Sequence, residues 1–389
     1  MKIALATEVF PPKAGGAGWS TRALALALKD AGHEITVITT APGPASEGSV
    51  PVVRLAGVSG PFRRGRMAAI FRNSLAEVAG GVDVIHAQHS LSALGALALD
   101  ARPRVVVTVR DHWPVCFWST RMSQGSLCPA CSTTGMWRCV DGRLPTFTTP
   151  LALPYMKWDL SSKRSALRRA DAVIAVSEAI AAELRAAAVP SVEVLPNIVD
   201  AVEVNRIAEA PATIPLPDRF VLFVGKLEAN KGARDLIPAL ARANTGLPLV
   251  VLGSGSEAPN LRTQAAKHAI EIHAPGWADR EDVLRAMKRA EALVFPSSWP
   301  EPLSRVLLEA LALGTPIAAM DTGGTSELIE DEVSGLLSHD VEGLGNSVRL
   351  IVHDPAVRSR LKEGAMRRAR AFSPAALIPR YEAIYRGSS

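Results

Sequence analysis

The strongest constraint on this chain is a repeated alternation between short apolar, β-branched runs and helix-length stretches. Lys2–Thr7, Glu34–Thr39, Val52–Leu55, Asp83–His86, Arg104–Val109, Ala172–Val176 and Val192–Leu195 read as strands. Trp19–Ala31, Met67–Ala79 and Glu178–Ala188 read as helices among them. The pattern restarts after residue 218, with Phe220–Val224, Leu249–Leu252, Glu271–His273, Ala292–Phe295 and Ile317–Ala319 as strands. Parallel strands covered on both faces lose the in–out alternation and read as continuous Val/Ile/Leu runs. The fold class expected is therefore α/β, with doubly wound open sheets and helices on both faces.

At 389 residues the chain exceeds one ordinary domain, and the series runs twice. Two Rossmann-like domains are expected, over 1–200 and 219–370. The stretch 201–218, with Pro211, Pro215 and Pro217, reads as the linker. Ala356–Ala371 and Ala375–Arg386 close the chain as helices, and 371–389 is expected to pack back on the first domain. Ligands of open parallel sheets bind outside the strands' carboxyl ends, so a central cleft is expected there.

Hydrophobic residues make up 48% of the chain, enough for two cores. Met1-Lys2 runs directly into Ile3–Ala6 without a secretory leader, and no apolar stretch reaches the roughly 20 residues of a membrane span. A soluble cytoplasmic protein is expected. A formal charge of +5 suits nucleotide phosphates or an anionic membrane. It is too scattered for nucleic acid, and with 5% aromatic residues no stacking platform for single strands is visible.

Chemistry is concentrated in three loops. In Pro300-Glu301-Pro302-Leu303-Ser304-Arg305-Val306-Leu307-Leu308-Glu309, Pro302 suits a first helical position, so the helix is expected to begin at Glu301. Glu309 then lies ~12 Å along the axis, at 1.5 Å per residue. The N–H groups of Leu303, Ser304 and Arg305 between the two acids, helped by the helix dipole, suit a phosphate. One short helix is thus expected to hold the sugar, diphosphate and ribose of a nucleotide sugar. The plainer alternative makes Glu301 a cap and Glu309 a solvated residue. The loop Gly225-Lys226-Leu227 to Lys231-Gly232 places two lysines after a strand, where they would neutralise a leaving diphosphate without a metal. Loop lysines are also commonly just solvated. Phe10 to Gly18, containing Gly15 and Gly16, lets backbone approach an anion, or is simply a tight strand–helix turn; it lacks the Gly-Lys-Ser/Thr ending of a phosphate loop.

With Ala312-Leu313-Gly314-Thr315-Pro316, Leu195-Pro196-Asn197 and Thr322-Gly323-Gly324-Thr325-Ser326-Glu327, these motifs resemble glycosyltransferase family 4. The resemblance implies the GT-B fold, an acceptor-binding first domain, a donor-binding second domain, and sugar transfer from a nucleotide donor with retention at the anomeric carbon. It implies that Lys226 and Lys231 grip the diphosphate, Glu301 the sugar hydroxyls and Glu309 the ribose. Amides near Leu303, Ser304 and Arg305 would face sugar and phosphate, Trp277 would lie beside the base, and Gly15 and Gly16 would approach the phosphate. A UDP- or GDP-sugar donor and a glycan or lipid-linked acceptor are implied, with no metal needed for transfer. Three departures stand out. Lys226 replaces an arginine, Leu303-Ser304 replaces Phe-Gly, and Arg110-Asp111-His112 replaces His-Asp, leaving His112 as a candidate catalytic residue or a brace for its loop. A nucleotide-sugar epimerase and a catalytically silent, metal-stapled binding protein are the rival readings.

All the cysteines, Cys116, Cys128, Cys131 and Cys139, fall in the loop 110–150. Cys128 and Cys131 have the spacing favoured by thiolate ligands, and zinc is preferred; disulfides, an iron–sulfur cluster and free thiols are the alternatives. Finally, Phe62–Arg72 and Tyr155–Arg169 mix cations with apolar residues. Solvated helix faces are the plainer reading, and peripheral contact with the inner face of a membrane is the other.

Overall fold

The computed structural model describes residues 1–60, 62–123, 126–128, 131–141, 143 and 149–387. Its contacts divide into two compact units, Met1–Ile198 with Pro374–Ser389, and Val199–Ser373.

Among the described residues, the first unit carries an eight-stranded sheet. Its strands are β1 (Lys2–Thr7), β2 (Glu34–Thr39), β3 (Ser46–Glu47), β4 (Val50–Arg54), β5 (Val84–Ala87) and β6 (Arg104–Val109). A separate hairpin, β7 (Met122–Ser123) with β8 (Ser126–Leu127), precedes the last two sheet strands, β9 (Ala172–Ala175) and β10 (Val192–Val194). The sheet runs β10-β9-β6-β5-β1-β2-β4-β3, and every pairing is parallel except β3 with β4. Ile3, Leu5, Val37, Val106 and Ile174 are buried along it, as expected of strands covered on both faces. The helices of this unit are α1 (Gly16–Asp30), α2 (Arg63–Ala79), α3 (Ser90–Leu97), α4 (Thr133–Asp141), α5 (Thr149–Leu167) and α6 (Glu178–Ala186).

The second unit opens with α7 (Ala201–Ala208). Its sheet is β11 (Val221–Val224), β12 (Leu249–Leu252), β13 (Ile272–Gly276), β14 (Ala292–Phe295), β15 (Ile317–Met320) and β16 (Leu336–Ser338). The order is β13-β12-β11-β14-β15-β16, all parallel. Around it lie α8 (Ala233–Ala243), α9 (Ala258–Lys267), α10 (Arg280–Arg289), α11 (Arg305–Leu313), α12 (Thr325–Leu328), α13 (Val341–His353) and α14 (Pro355–Ala369). Counted within the unit, the strand order is 3-2-1-4-5-6. The order therefore reverses between β11 and β14, and the loops leaving these two strands flank the crevice where such sheets bind ligands.

The structure adds detail in three places. Within the stretch 201–218, read as the linker, Asp200 caps α7, accepting from the Val202 and Glu203 N–H groups, and Val204 and Ala208 are buried. Part of the loop 110–150 is regular, holding β7, β8 and α4. β16 was absent from the expected strands, because three residues carry too short an apolar pattern to read.

The last helix, α15 (Pro374–Arg386), belongs to the first unit. Leu377, Ile378, Tyr381, Ile384 and Tyr385 enter the same core as Ile3, Leu24 and Leu28. Polar contacts fix the docking: His86 Nδ1 lies 2.8 Å from the Tyr385 hydroxyl and its Nε2 lies 2.7 Å from Thr108 Oγ1. Burial, then the charge of Arg110, holds the His86 imidazole well below its usual pKa, so it stays neutral in this core. Tyr385→Phe strands one ring nitrogen, and a loss of about 1–3 kcal/mol is expected. Urea unfolding followed by near-UV circular dichroism measures it.

Candidate functional site

The donor-type residues gather at the carboxyl edge of the second sheet. After β11 the chain turns through Gly225, exposes Lys226, and enters a 3₁₀ turn over Ala229–Lys231. Gly232 follows with φ +73°, and a Cβ there would stand 1.8 Å from the Pro296 carbonyl oxygen. Only glycine allows the loop after β11 to lie so close to the loop after β14. The consequence is a direct pairing: Lys231 Nζ donates to Glu301 Oε1 at 2.6 Å. Ser297 Oγ donates to the same oxygen at 2.7 Å. The ammonium also stands 3.9 Å from the Trp299 ring centroid, a cation–π contact. Glu301 is 4% exposed. On its other side the Gly324 N–H donates to the Glu301 carbonyl at 2.7 Å, while a Cβ on Gly323 would come within 2.4 Å of that oxygen. Loops from β11, β14 and β15 thus lock together around Lys231 and Glu301.

The helix start differs from expectation. α11 begins at Arg305 with Ser304 as its N-cap, whose Oγ accepts from the Leu307 N–H at 3.4 Å. Glu301 and Leu303 precede the helix, so the first-turn amides belong to Arg305, Val306 and Leu307. Pro302 suits a first helical position, but the Ser304 cap outcompetes it: a side-chain acceptor satisfies an amide that proline merely lacks.

Glu309 is neither a cap nor a solvated residue. It is 4% exposed, and its Oε1 accepts from Arg280 Nε at 2.9 Å and Arg305 Nε at 3.0 Å. Burial would raise its pKa, but the two guanidinium groups overcome it and leave the carboxyl below its ordinary range. Arg280 opens α10, and its part in the site was missed because a single arginine at a helix start carries no distinctive pattern. Trp277 follows β13 and is 59% exposed.

Gly15, Gly16 and His112 belong to the first unit. Gly15 caps α1, Gly16 opens it, and a Cβ on Gly15 would meet open space. His112 is 2% exposed with Nδ1 2.8 Å from Glu183 Oε2, and Arg121 pairs with the other oxygen of that carboxylate. The imidazole therefore braces its loop against α6. Arg110 instead hydrogen-bonds Gln88 after β5. In this sheet the order reverses between β1 and β5, where the sequence reading named Gly15 and Gly16 but not Glu8 or His89. Glu8 accepts from the Ser92 N–H at 2.7 Å, and burial pushes its carboxyl up to about 7. Thr7 Oγ1 lies 3.0 Å from His89 Nδ1, and burial, then Arg110, pushes that imidazole down to about 3. The four cysteines are half-buried, and they line one cavity.

Two Rossmann-type units, the second carrying a lysine–glutamate pair at its switch point, define a glycosyltransferase of the GT-B class. The chain belongs to that class by sequence as well: residues 14–203 match the family described as Glycosyltransferase Family 4, and residues 204–368 the Glycosyl transferases group 1. It is 29% identical to a glycogen synthase of Mycobacterium tuberculosis (strain CDC 1551 / Oshkosh), over 95% of this chain and 90% of that one. It is 35% identical to a D-inositol 3-phosphate glycosyltransferase of Salinispora tropica, over 41% of this chain and 37% of that one. Among solved structures it resembles sucrose-phosphate synthase from Thermosynechococcus elongatus, with TM-score 0.73 and 22% identity over 99% of this chain and 98% of that one. Anabaena HepE, solved with UDP-glucose, gives TM-score 0.71 and 19% identity over 98% of each chain. The chain is a glycosyltransferase.

Glu309→Gln leaves two guanidinium groups around a neutral amide, and a loss of about 3–5 kcal/mol is expected. Because the folded carboxyl is held low, its stabilisation is complete above the ordinary carboxylate range of about 4.3 and fades as pH falls through the lowered value. Denaturant midpoints against pH should therefore fall more steeply on acidification for the wild type than for the variant.

Proposed function

We propose that the protein is a retaining transferase moving a glycosyl group from a nucleoside diphosphate, UDP ahead of GDP, to a hydroxyl of a glycan or lipid-linked acceptor. The observation that carries this reading is the Lys231–Glu301 contact at the switch point of the second sheet. Without a donor the two charges satisfy each other. A bound nucleotide sugar separates their tasks: the ammonium turns to the diphosphate, and the carboxylate accepts from sugar hydroxyls. Lys226, exposed and with no carboxylate partner among the described residues, is the second cation for the diphosphate. First-turn amides of α11 add to it. Glu309, kept ionised by its two arginines, is assigned to the ribose, and exposed Trp277 to the base. Leu303 and Ser304 border the sugar.

In the chemical step the bond from the anomeric carbon to the phosphate oxygen breaks as the acceptor oxygen attacks the same face. The acceptor's proton passes to the departing phosphate oxygen. Negative charge grows on the diphosphate, where Lys231 and Lys226 stabilise it without a metal. UDP is preferred because a fold relative, HepE, was solved with UDP and UDP-glucose, and the fold relation supports that choice of base without fixing it.

Lys231→Ala is expected to lower kcat about 10²–10³-fold, as loss of a charge-stabilising donor does. UDP-sugars should raise the melting temperature of the wild type more than GDP- or ADP-sugars, through mass action. Proton NMR of the first-formed product reads the anomeric configuration. Inversion overturns the retaining assignment, and near wild-type turnover in Lys231→Ala overturns the site. Interconversion of donor sugars without transfer would identify an epimerase, and donor binding without turnover a silent binder.

For the lipid-linked branch of this reading, the two basic–apolar stretches matter. Among the described residues no helix is long and apolar enough to cross a membrane. Arg64 Nη1 donates to Asp159 Oδ1 at 3.1 Å, joining α2 to α5 and bringing exposed Phe62, Arg63 and Arg66 onto the same unit as exposed Tyr155, Lys157 and Trp158. Arg64 and Lys163 are bound to Asp159, so they are not the lipid-facing cations, while among the described residues Arg63 and Arg66 bond only the backbone carbonyls of Val58 and Ser59 and stay exposed. Peripheral contact with an anionic leaflet is proposed through the remaining cations and aromatic rings. Arg63→Glu with Arg66→Glu should markedly reduce co-sedimentation with phosphatidylglycerol vesicles, and unchanged recovery removes the proposal.

A further inference from the structure

We propose that Cys116, Cys128, Cys131 and Cys139 bind a single zinc ion, in a closed tetrahedral thiolate site that staples the segment between β6 and α5. All four cysteines of the chain lie in this one stretch. They arrive from different local structures. Cys116 sits in the turn after β6, where its N–H donates to the His112 carbonyl at 2.8 Å. Cys128 leaves the β7–β8 hairpin, its N–H donating to the Arg121 carbonyl at 2.7 Å. Cys131 precedes α4, and Cys139 lies on α4. Despite these separate origins, all four line the same cavity of about 600 Å³, each half-buried and none in a disulfide.

The segment needs such a staple. Its hairpin has two residues per strand, and its own apolar cluster consists of Phe117, Met136, Val140, Met156 and Leu160. Short hairpins and small cores of this kind are marginal without a cross-link or a metal. The pair Cys128 and Cys131, followed by a helix that returns a further cysteine, is the spacing from which thiolate zinc sites are built. It lacks the run of three closely spaced cysteines typical of many iron–sulfur ligations.

Four thiolates around a dication carry a net charge of −2. Arg121 and Arg164 line the cavity, and so does Glu183, the carboxylate partner of Arg121. The Arg121 backbone N–H already donates to Cys116 Sγ at 3.4 Å, the kind of outer contact that orients a ligating sulfur. Among the described residues no three Cys, His, Asp or Glu side chains stand close enough to hold an ion as they are. Binding therefore draws the sulfurs inward to Zn–S distances of about 2.3 Å and releases their protons to solvent. The site is separate from the donor residues, and its occupancy is read without turnover.

The test is elemental analysis of the full-length protein purified without chelator. The expected result is about one zinc per chain, as four thiolates fill a tetrahedral ion, with thiols that react with Ellman's reagent only after the metal is removed. Cys128→Ser should lower zinc to background, while Ser132→Ala keeps it. Zinc-free protein with four reactive thiols, disulfides found by alkylation and mass spectrometry, or iron with acid-labile sulfide would each overturn the proposal. So would full zinc content in Cys128→Ser. If that variant does not fold, cobalt replacement in the wild type decides. Thiolate-to-cobalt charge-transfer bands with intense tetrahedral ligand-field bands are expected, and their absence overturns the site.

Discussion

The close backbone approach between the loops that leave β11 and β14 governs the second unit. Gly232 stands where any side chain would collide with Pro296, and a side chain at Gly323 would likewise collide with Glu301. Loops are ordinarily the most mobile parts of such a fold. Here backbone-to-backbone contacts make three of them one body, so Lys231 and Glu301 are positioned by the sheet rather than by their own long side chains. This matters for phosphate chemistry, in which the protein supplies mostly placement and charge. An ammonium already paired with a carboxylate costs little to keep partly buried, and under the proposed function a dianionic diphosphate takes that partner's place.

Much of the fold was legible because parallel strands buried on both faces advertise themselves. β1, β2, β6, β12 and β14 fall at the expected residues, since each is a continuous run of apolar side chains. What escaped was short or locally ambiguous. β16 has three residues, and β7 and β8 have two each. Within the site, the lysine and glutamate loops were readable as motifs. The helix start was not, because Pro302 and Ser304 both favour a helix N-terminus, and the Ser304 cap on the Leu307 N–H is what decides between them. Nor did the pattern show that Glu309 would be shared by two arginines: Arg305 lies one turn away on the same helix, but Arg280 comes from a different helix. Glu8 and His89 also stayed invisible, since isolated polar residues after strands carry no spacing signal. Their perturbed acidities arise from burial, a property of the folded state.

The first unit shows how one motif can hold two meanings. Arg110-Asp111-His112 sits after β6, where the resemblance implied His-Asp and left His112 as a candidate catalytic residue or a brace. Here Glu183 and Arg121 anchor the imidazole, and Arg110 reaches Gln88 instead. The same small region supports the cysteine-lined cavity, so the segment that departs most from the family pattern also carries its own stabilising contacts.

The return of α15 to the first unit has a consequence for biosynthesis. Residues 374–386 contribute Leu377, Ile378, Tyr381, Ile384 and Tyr385 to a core whose other members lie between Ile3 and Ile198. During translation, the unit spanning Val199–Ser373 has its whole sequence available before its predecessor can complete its core. The unit whose synthesis begins first therefore receives the last of its core residues only after the whole sequence of the other unit has been made.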